Sequence, residues 1–383
     1  MENLTPLELV KMIQRVFQPT SKDTGLALLV DLPDEAAPDT DFWKERRELA
    51  FDWYHLLKNA EGELGFTVAL VLYRNPRMNN ADLPDSGWVF DGSDLPQTAD
   101  ALDPKMVQPL ESIYQSFSMF LAPTQFSATA PLKLLSRQFN FRAATMPGFK
   151  RSMIPALRLD YVEINKRVNF LKELVDGCQR ADFLFDVEGT SYRLTLDLRH
   201  RTGHASGGMF PDRKVAGNLP SGETYIVPYE GEIEGDPSQS NGFLPVQFED
   251  GVVVYEIQEN RAIKVVGEEP AASREQAYLE REPAYGNMAE LGLGVLSDFG
   301  LKPTGEILLD EKLGLHIAFG RSDHFGGQVG ASNFSSPGAV VHIDRVYIPE
   351  TQPRVTVVCA ELVKDNGDVV TLIRDNEYVI SFS

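Results

Sequence analysis

The chain has 383 residues, with 36 Lys and Arg against 56 Asp and Glu, for a formal net charge of −20 at pH 7. That length exceeds one ordinary hydrophobic core, so two domains are expected. The charge argues against nucleic acid and anionic membrane as partners, because binding to either rests on Lys and Arg neutralising phosphates.

The opening stretch MENLTPLELVKMIQRVFQP reads as an amphipathic helix, with neither the basic nor the apolar region of a signal peptide. No later stretch approaches the roughly 20 apolar residues of a membrane span. Cys178 and Cys359 are too few and too far apart for a disulfide framework, which fits a cytoplasmic location. After the first helix come the short strand GLALLVDL, the long helix DFWKERRELAFDWYHLLKNA and the strand FTVALVLY. PKMVQPLESIY then precedes the apolar run SMFLAP, followed by the helix APLKLLSRQF, the strand FRAATMP and the helix YVEINKRVNFLKELVDGC. Alternating α and β with continuously apolar strands predicts an α/β domain over residues 1–180, a parallel sheet with flanking helices. Neither G-x-G-x-x-G nor G-x-x-x-x-G-K-[ST] occurs in it, so no phosphate-cradling loop is expected.

From about residue 181 the periodicity changes. ADFLFDVEG, SYRLTLDLR, TYIVPYEGEI, GVVVYEIQENRAIKVVG, LGLHIAFG, VVHIDRVYI, RVTVVCAELV and DVVTLIRDNEYVISF read as strands. SREQAYLERE and YGNMAELGLG read as inserted helices, and GEIEGDPSQSNG as a surface loop. Residues 181–383 are therefore predicted as a β-rich α+β domain.

Chemistry concentrates in this half. Three of six histidines, His316, His324 and His342, fall within 27 residues. In VVHIDRVYI, His342 and Asp344 share one strand face with Val340, Val346 and Ile348, within roughly 7 Å of each other. An ionised carboxylate there costs several kcal/mol unless something pairs with it. Imidazole plus carboxylate suits Zn, Mn, Co or Fe(II); the alternative is a buried His–Asp ion pair. His316 adds a third group, flanked on its own face by Gly314, Ala318 and Gly320. Glu223 opens an apolar strand after NLPSG, Glu290 lies in the apolar segment NMAELGLG, and Glu311 precedes His316 by five residues. With two His and one Asp they can supply two cations with a shared carboxylate.

The order of these six residues, with the contexts NLPSGE, DEKLGLHIAFG and VHID, resembles the aminopeptidase T/aminopeptidase S family of two-metal aminopeptidases. The resemblance covers residues 182–348 in motif order and the N-terminal half in architecture only. It implies an α/β N-terminal domain, a β-rich metal-binding C-terminal domain and a homodimer. By carry-over, Glu223, Glu290, Glu311, His316, His342 and Asp344 form a shell for two divalent ions (Zn, Co or Mn), and the substrate is a peptide or small molecule. One of the glutamates, Glu223 foremost, stands as a proton shuttle. The family's catalytic tyrosine falls at Asp323, in HIAFGRSDHFGG, and an aspartate donates no hydrogen bond unless protonated. His324, next to it, is the substitute donor; the alternative is that both residues form a solvated turn. The same superfamily contains a dihydroxypyridine ring-cleaving dioxygenase, whose single Fe(II) would here take His316, His342 and Asp344. A diverged relative without peptidase activity is the third possibility. His200, His204 and His55 are assigned no chemistry, and Trp43, Trp53 and Trp88 are assigned to core or interface.

Overall fold

A computed structural model describes the whole chain except Met1, Glu2, Ser93, Glu268 and Ser383. It divides into two compact units, Met1–Val162 with Gly208–Ser221, and Glu163–Gly207 with Gly222–Ser383.

The first unit is built on a seven-stranded sheet. Gly25–Leu32 lies inside it and is buried at all eight positions, which matches its continuous apolar run. Thr67–Arg74 pairs with it in parallel on one side and Met119–Ala122 on the other. Arg142–Thr145 and then Val215–Asn218 extend the parallel part, while Ser86–Val89 and Val107–Pro109 close the opposite edge antiparallel. The helix Pro6–Phe17 starts at Thr5, whose side chain caps Glu8 while Glu8 reaches back to it, and Pro6 takes the first turn. Its buried stripe is Leu9, Val10, Met12, Ile13, Val16 and Phe17. Of the expected opening helix, Met1 and Glu2 lie outside the described residues. Arg142 and Asp23 form an ion pair at 2.8 Å with both side chains 2% exposed, and Arg142 also donates to the Phe17 carbonyl at 2.9 Å.

The second unit holds two antiparallel sheets. The larger has eight strands, with Cys178–Val187 between Thr190–Asp197 and Thr356–Lys364. The smaller has five, in the order His342–Val346, Leu315–Gly320, Met288–Gly294, Glu223–Ile226 and His204–Ser206. Its apolar face carries Phe319, whose ring packs 4.8 Å from Tyr255 of the larger sheet. Among the described residues no helix is long and apolar enough to cross a membrane.

An α/β unit and a β-rich unit agree with the periodicity of the sequence, and three elements differ from it. YGNMAELGLG is not a helix: Met288–Gly294 is a fully buried strand. Its Glu, Gly, Gly and Leu, Leu sets alternate with period two, and short apolar runs do not separate strand from helix on periodicity alone. The helix Tyr161–Asp176 belongs from Glu163 onward to the second unit. Thr224 donates to its Val168 carbonyl, Arg167 pairs with Asp298 at 2.8 Å, and Phe170 stacks edge-on against Phe382. Residues 208–221 return to the first unit, because Val215–Asn218 pairs in register with Arg142–Thr145. The strand Asn241–Phe248, interrupted by Pro245, gave no clear alternation in the sequence.

The buried pair yields a stability test. Asp23→Ala leaves the Arg142 guanidinium without its counter-charge and is expected to cost about 3–5 kcal/mol, read as a lower urea midpoint. Burial pushes the Asp23 carboxyl up, but hydrogen bonds from Arg142 and Thr20 outweigh it and hold it below the usual carboxylate range. Its contribution is therefore complete above the ordinary carboxylate pKa and fades as the pH falls below it.

Candidate metal centre

The register of the five-stranded sheet gathers the chemistry. His342 lies opposite Gly320 and Asp344 opposite Ala318; Glu290 lies opposite Ala318 on the other side, Gly292 opposite His316, and Gly294 opposite Glu223. With side chains alternating, Glu223, Tyr225, Glu290, His316, His342 and Asp344 share one face, while Leu291, Leu293, Leu315, Ile317 and Phe319 take the other. A bulge between Met288 and Glu290 makes Ala289 the extra residue. Met288 can thus turn to the apolar face opposite Phe319 while Glu290 stays on the polar one. The glycines leave space for the functional groups. A methyl on Gly292 would sit 1.9 Å from His316 Nε2, and one on Gly294 would sit 2.3 Å from the Lys312 backbone.

Two sets of ligand atoms converge: Glu223, Glu290 and His316, and Glu290, His342 and Asp344. Glu290 belongs to both. Its Oε1 lies 3.3 Å from His316 Nε2 and its Oε2 lies 3.2 Å from His342 Nε2. His316 Nε2 is also 3.6 Å from Glu223 Oε2, and His342 Nε2 is 3.5 Å from Asp344 Oδ1. Each ring is anchored from behind, His316 Nδ1 at 3.3 Å from the Gly314 carbonyl and His342 Nδ1 at 2.8 Å from that of Arg321. A ring whose Nδ1 proton goes to a backbone carbonyl presents Nε2 as its free ligand atom.

The charges are desolvated. Side-chain exposure is 8% for Glu223, 5% for Glu290, 7% for Asp344 and zero for His316. Burial pushes the Glu290 carboxyl up, yet the hydrogen bonds from His316 and His342 bring it down to about 2. For His342, burial lowers the imidazole but Asp344 and Glu290 outweigh that and hold it well above its ordinary value. His316 is raised in the same way, by Glu290 first. Both imidazoles are thus raised by the carboxylates they face. One atom is left over: Glu223 Oε2 is buried and accepts no hydrogen bond. An orphaned carboxylate oxygen beside an imidazole nitrogen, in a hard and borderline donor set, fits a divalent cation.

The six residues named from the sequence are not equivalent in space. Five fall in the two convergent sets, and Glu311 falls in neither. Its carboxylate is held by Lys312, a lysine of zero exposure that also donates to Glu223 Oε1 at 2.9 Å. Asp323 accepts from Arg321 Nε at 2.5 Å, and its carboxyl is lowered, with burial opposing and Arg321 prevailing. His324 stacks on Phe325, with ring centroids 3.9 Å apart, and lies 5.5 Å from the His342 ring. Burial and the neighbouring His342 push His324 down to about 4, so it stands as a neutral imidazole. The loop carrying both is fastened by Glu230, which accepts from Ser322 Oγ at 2.6 Å, Asn287 Nδ2 at 2.7 Å and the Gln328 amide. His200 pairs with Asp236 at 3.0 Å, away from the convergent sets. Sequence reasoning missed Lys312 and Tyr225. Tyr225 follows Glu223 by two on a strand, a spacing that places it on the ligand face. Lys312 stands inside the motif DEKLGLHIAFG, next to Glu311, but was assigned no role.

No family model matches the sequence, and no curated protein matches it either. The fold itself has solved counterparts. The chain is similar to a 2,5-dihydroxypyridine dioxygenase from Pseudomonas putida KT2440, with a TM-score of 0.61 and 12% identity over 99% of both chains. It is also similar to AmpT from Thermus thermophilus, an aminopeptidase T, with a TM-score of 0.56 and 14% identity over 98% of this chain and 99% of that one. At this identity the likeness establishes a shared fold.

Two expectations follow from the geometry. Gly292→Ala should displace the His316 ring and weaken binding of Zn, Mn or Co at least about tenfold, as loss of a ligand's placement does; metal titration of the purified variant measures it. A cation must also expel the protons that the raised pKa values keep on His316 and His342. Affinity should therefore rise with pH towards those raised values. Calorimetry in buffers of different ionisation enthalpy should show proton release on metal binding.

Proposed function

We propose that this chain is a two-cation hydrolase that releases N-terminal residues from peptides, working as a cytoplasmic homodimer. The observation that carries the reading is the sharing of Glu290 between two convergent ligand sets. Glu223, Glu290 and His316 would hold one cation, and Glu290, His342 and Asp344 the second. Bound there, the pair would supply the acidity that activates a water and the Lewis acid that polarises a carbonyl. The protein's own groups do the rest. Lys312 orients Glu223 through Oε1 and leaves Oε2 directed at the centre. Glu290 keeps both oxygens between the two rings. His324, neutral beside His342, accepts a proton from the nucleophilic water, and Asp323 positions it through a 3.6 Å contact with its Nδ1.

The likeness to a dioxygenase supports a second reading, a single Fe(II) on His316, His342 and Asp344. The geometry favours it less. His316 converges with Glu223 and Glu290, whereas His342 and Asp344 converge with Glu290, and no set among the described residues contains all three.

The decisive assay adds Zn, Mn or Co to stripped protein and follows amino-acid release from short peptides, in parallel with oxygen uptake by the Fe(II) form on dihydroxylated aromatics. Release of free amino acids is expected, together with its loss by at least about 10²-fold in Asp344→Asn, whose neutral amide neither ligates well nor offsets the cation's charge. Oxygen uptake with no peptide cleavage under any metal would transfer the chain to the dioxygenases.

A further inference from the structure

Tyr225 stands on the ligand face without belonging to either ligand set. The register places His204, Tyr225, Gly292 and His316 in one row across four strands. Because Gly292 has no side chain, no side chain intervenes in that row between the Tyr225 ring and the His316 ring. The phenol ring stacks 5.1 Å from the His204 ring and packs at a tilt 4.8 Å from that of Phe325, and Phe325 lies 5.4 Å from the His342 ring. Tyr225 follows Glu223 by two residues on the same strand face and pairs with Gly292, two residues after Glu290. The other polar groups near the centre are committed. Lys312 donates to Glu223 and Glu311, and Asp323 accepts from Arg321. Tyr225 is thus an O–H donor held on the ligand face by its ring contacts.

On the hydrolase reading above, we infer that Tyr225 is a catalytic residue: its hydroxyl donates a hydrogen bond to the oxygen that gains charge when the scissile carbonyl is attacked. The water oxygen bonds to the carbonyl carbon, and the carbonyl π pair moves onto its oxygen, which Tyr225 holds without giving up its proton. Collapse restores the double bond and breaks the C–N bond. The departing amine leaves with the proton that the water released. A donor aimed at charge present only in the transition state accelerates the reaction without tightening substrate binding.

Tyr225→Phe keeps the ring and its two ring contacts and removes only the hydroxyl. In the full-length, metal-loaded protein kcat is expected to fall about 10²-fold, the usual effect of deleting one such donor, with KM within about threefold of wild type. The readout independent of turnover is calorimetric binding of an α-aminophosphonate, whose tetrahedral oxyanion resembles the attacked carbonyl, against binding of free leucine, whose carboxylate is planar. The variant should lose at least about tenfold in phosphonate affinity and little in leucine affinity, with the metal content of wild type by elemental analysis. Unchanged kcat and unchanged phosphonate affinity would overturn the assignment, and so would equal losses for phosphonate and leucine. A wild-type chain that cleaves no peptide and binds the phosphonate no better than leucine would overturn the hydrolase reading, and this role with it.

Discussion

The second unit is organised around one electrostatic problem: three carboxylates, Glu223, Glu290 and Asp344, nearly excluded from water on one face of a small sheet. Removing an ion from water costs several kcal/mol even after relaxation, and like charges side by side add to it. Facing them are His316 and His342, whose imidazoles these carboxylates raise, and Lys312, which donates to Glu223. That solution is incomplete, since Glu223 Oε2 accepts no hydrogen bond.

The scaffold makes the site narrow. Three neighbouring strands carry Glu290, His316 and the His342–Asp344 pair, and the sheet spacing of about 4.8 Å brings their side chains together without any loop having to close. Gly292 is where this is most constrained, because any side chain there would occupy the position of the His316 ring. The bulge at Ala289 lets a fully buried strand change which face its apolar side chains take just before Glu290. The opposite face is hydrophobic and packs on the eight-stranded sheet through contacts such as Tyr255 with Phe319, and Arg345 behind Asp344 donates to the Tyr285 hydroxyl at 3.2 Å. Packing behind the sheet and chemistry in front of it are therefore coupled through alternate residues of the same strands.

Much of this is legible in the sequence, and the failures have physical reasons. The period-two rule alone puts His342 beside Asp344, and apolar strands alternating with helices give the parallel sheet of the first unit. Glu290 was found for its improbable charge, yet its segment read as helix, because the Gly residues that weaken strand propensity are there to admit His316. Glu311 was grouped with the ligands by motif order. Order does not report that its neighbour Lys312 points inward and takes its carboxylate. Tyr225 was visible by the same alternation that found Asp344, but a tyrosine in an apolar strand carries no sign of cost to draw attention to it. The return of residues 208–221 to the first sheet depends on pairing across about 70 residues, which no local pattern encodes.

The central claim is that Glu290 bridges two cation positions. The most direct measurement is anomalous scattering from crystals of the protein loaded with Zn or Mn. The account expects two peaks per chain, one at Glu223, Glu290 and His316 and the other at Glu290, His342 and Asp344, with ligand distances of roughly 2.0–2.2 Å for Zn. A single peak coordinated by His316, His342 and Asp344, with Glu223 and Glu290 turned away, would contradict it.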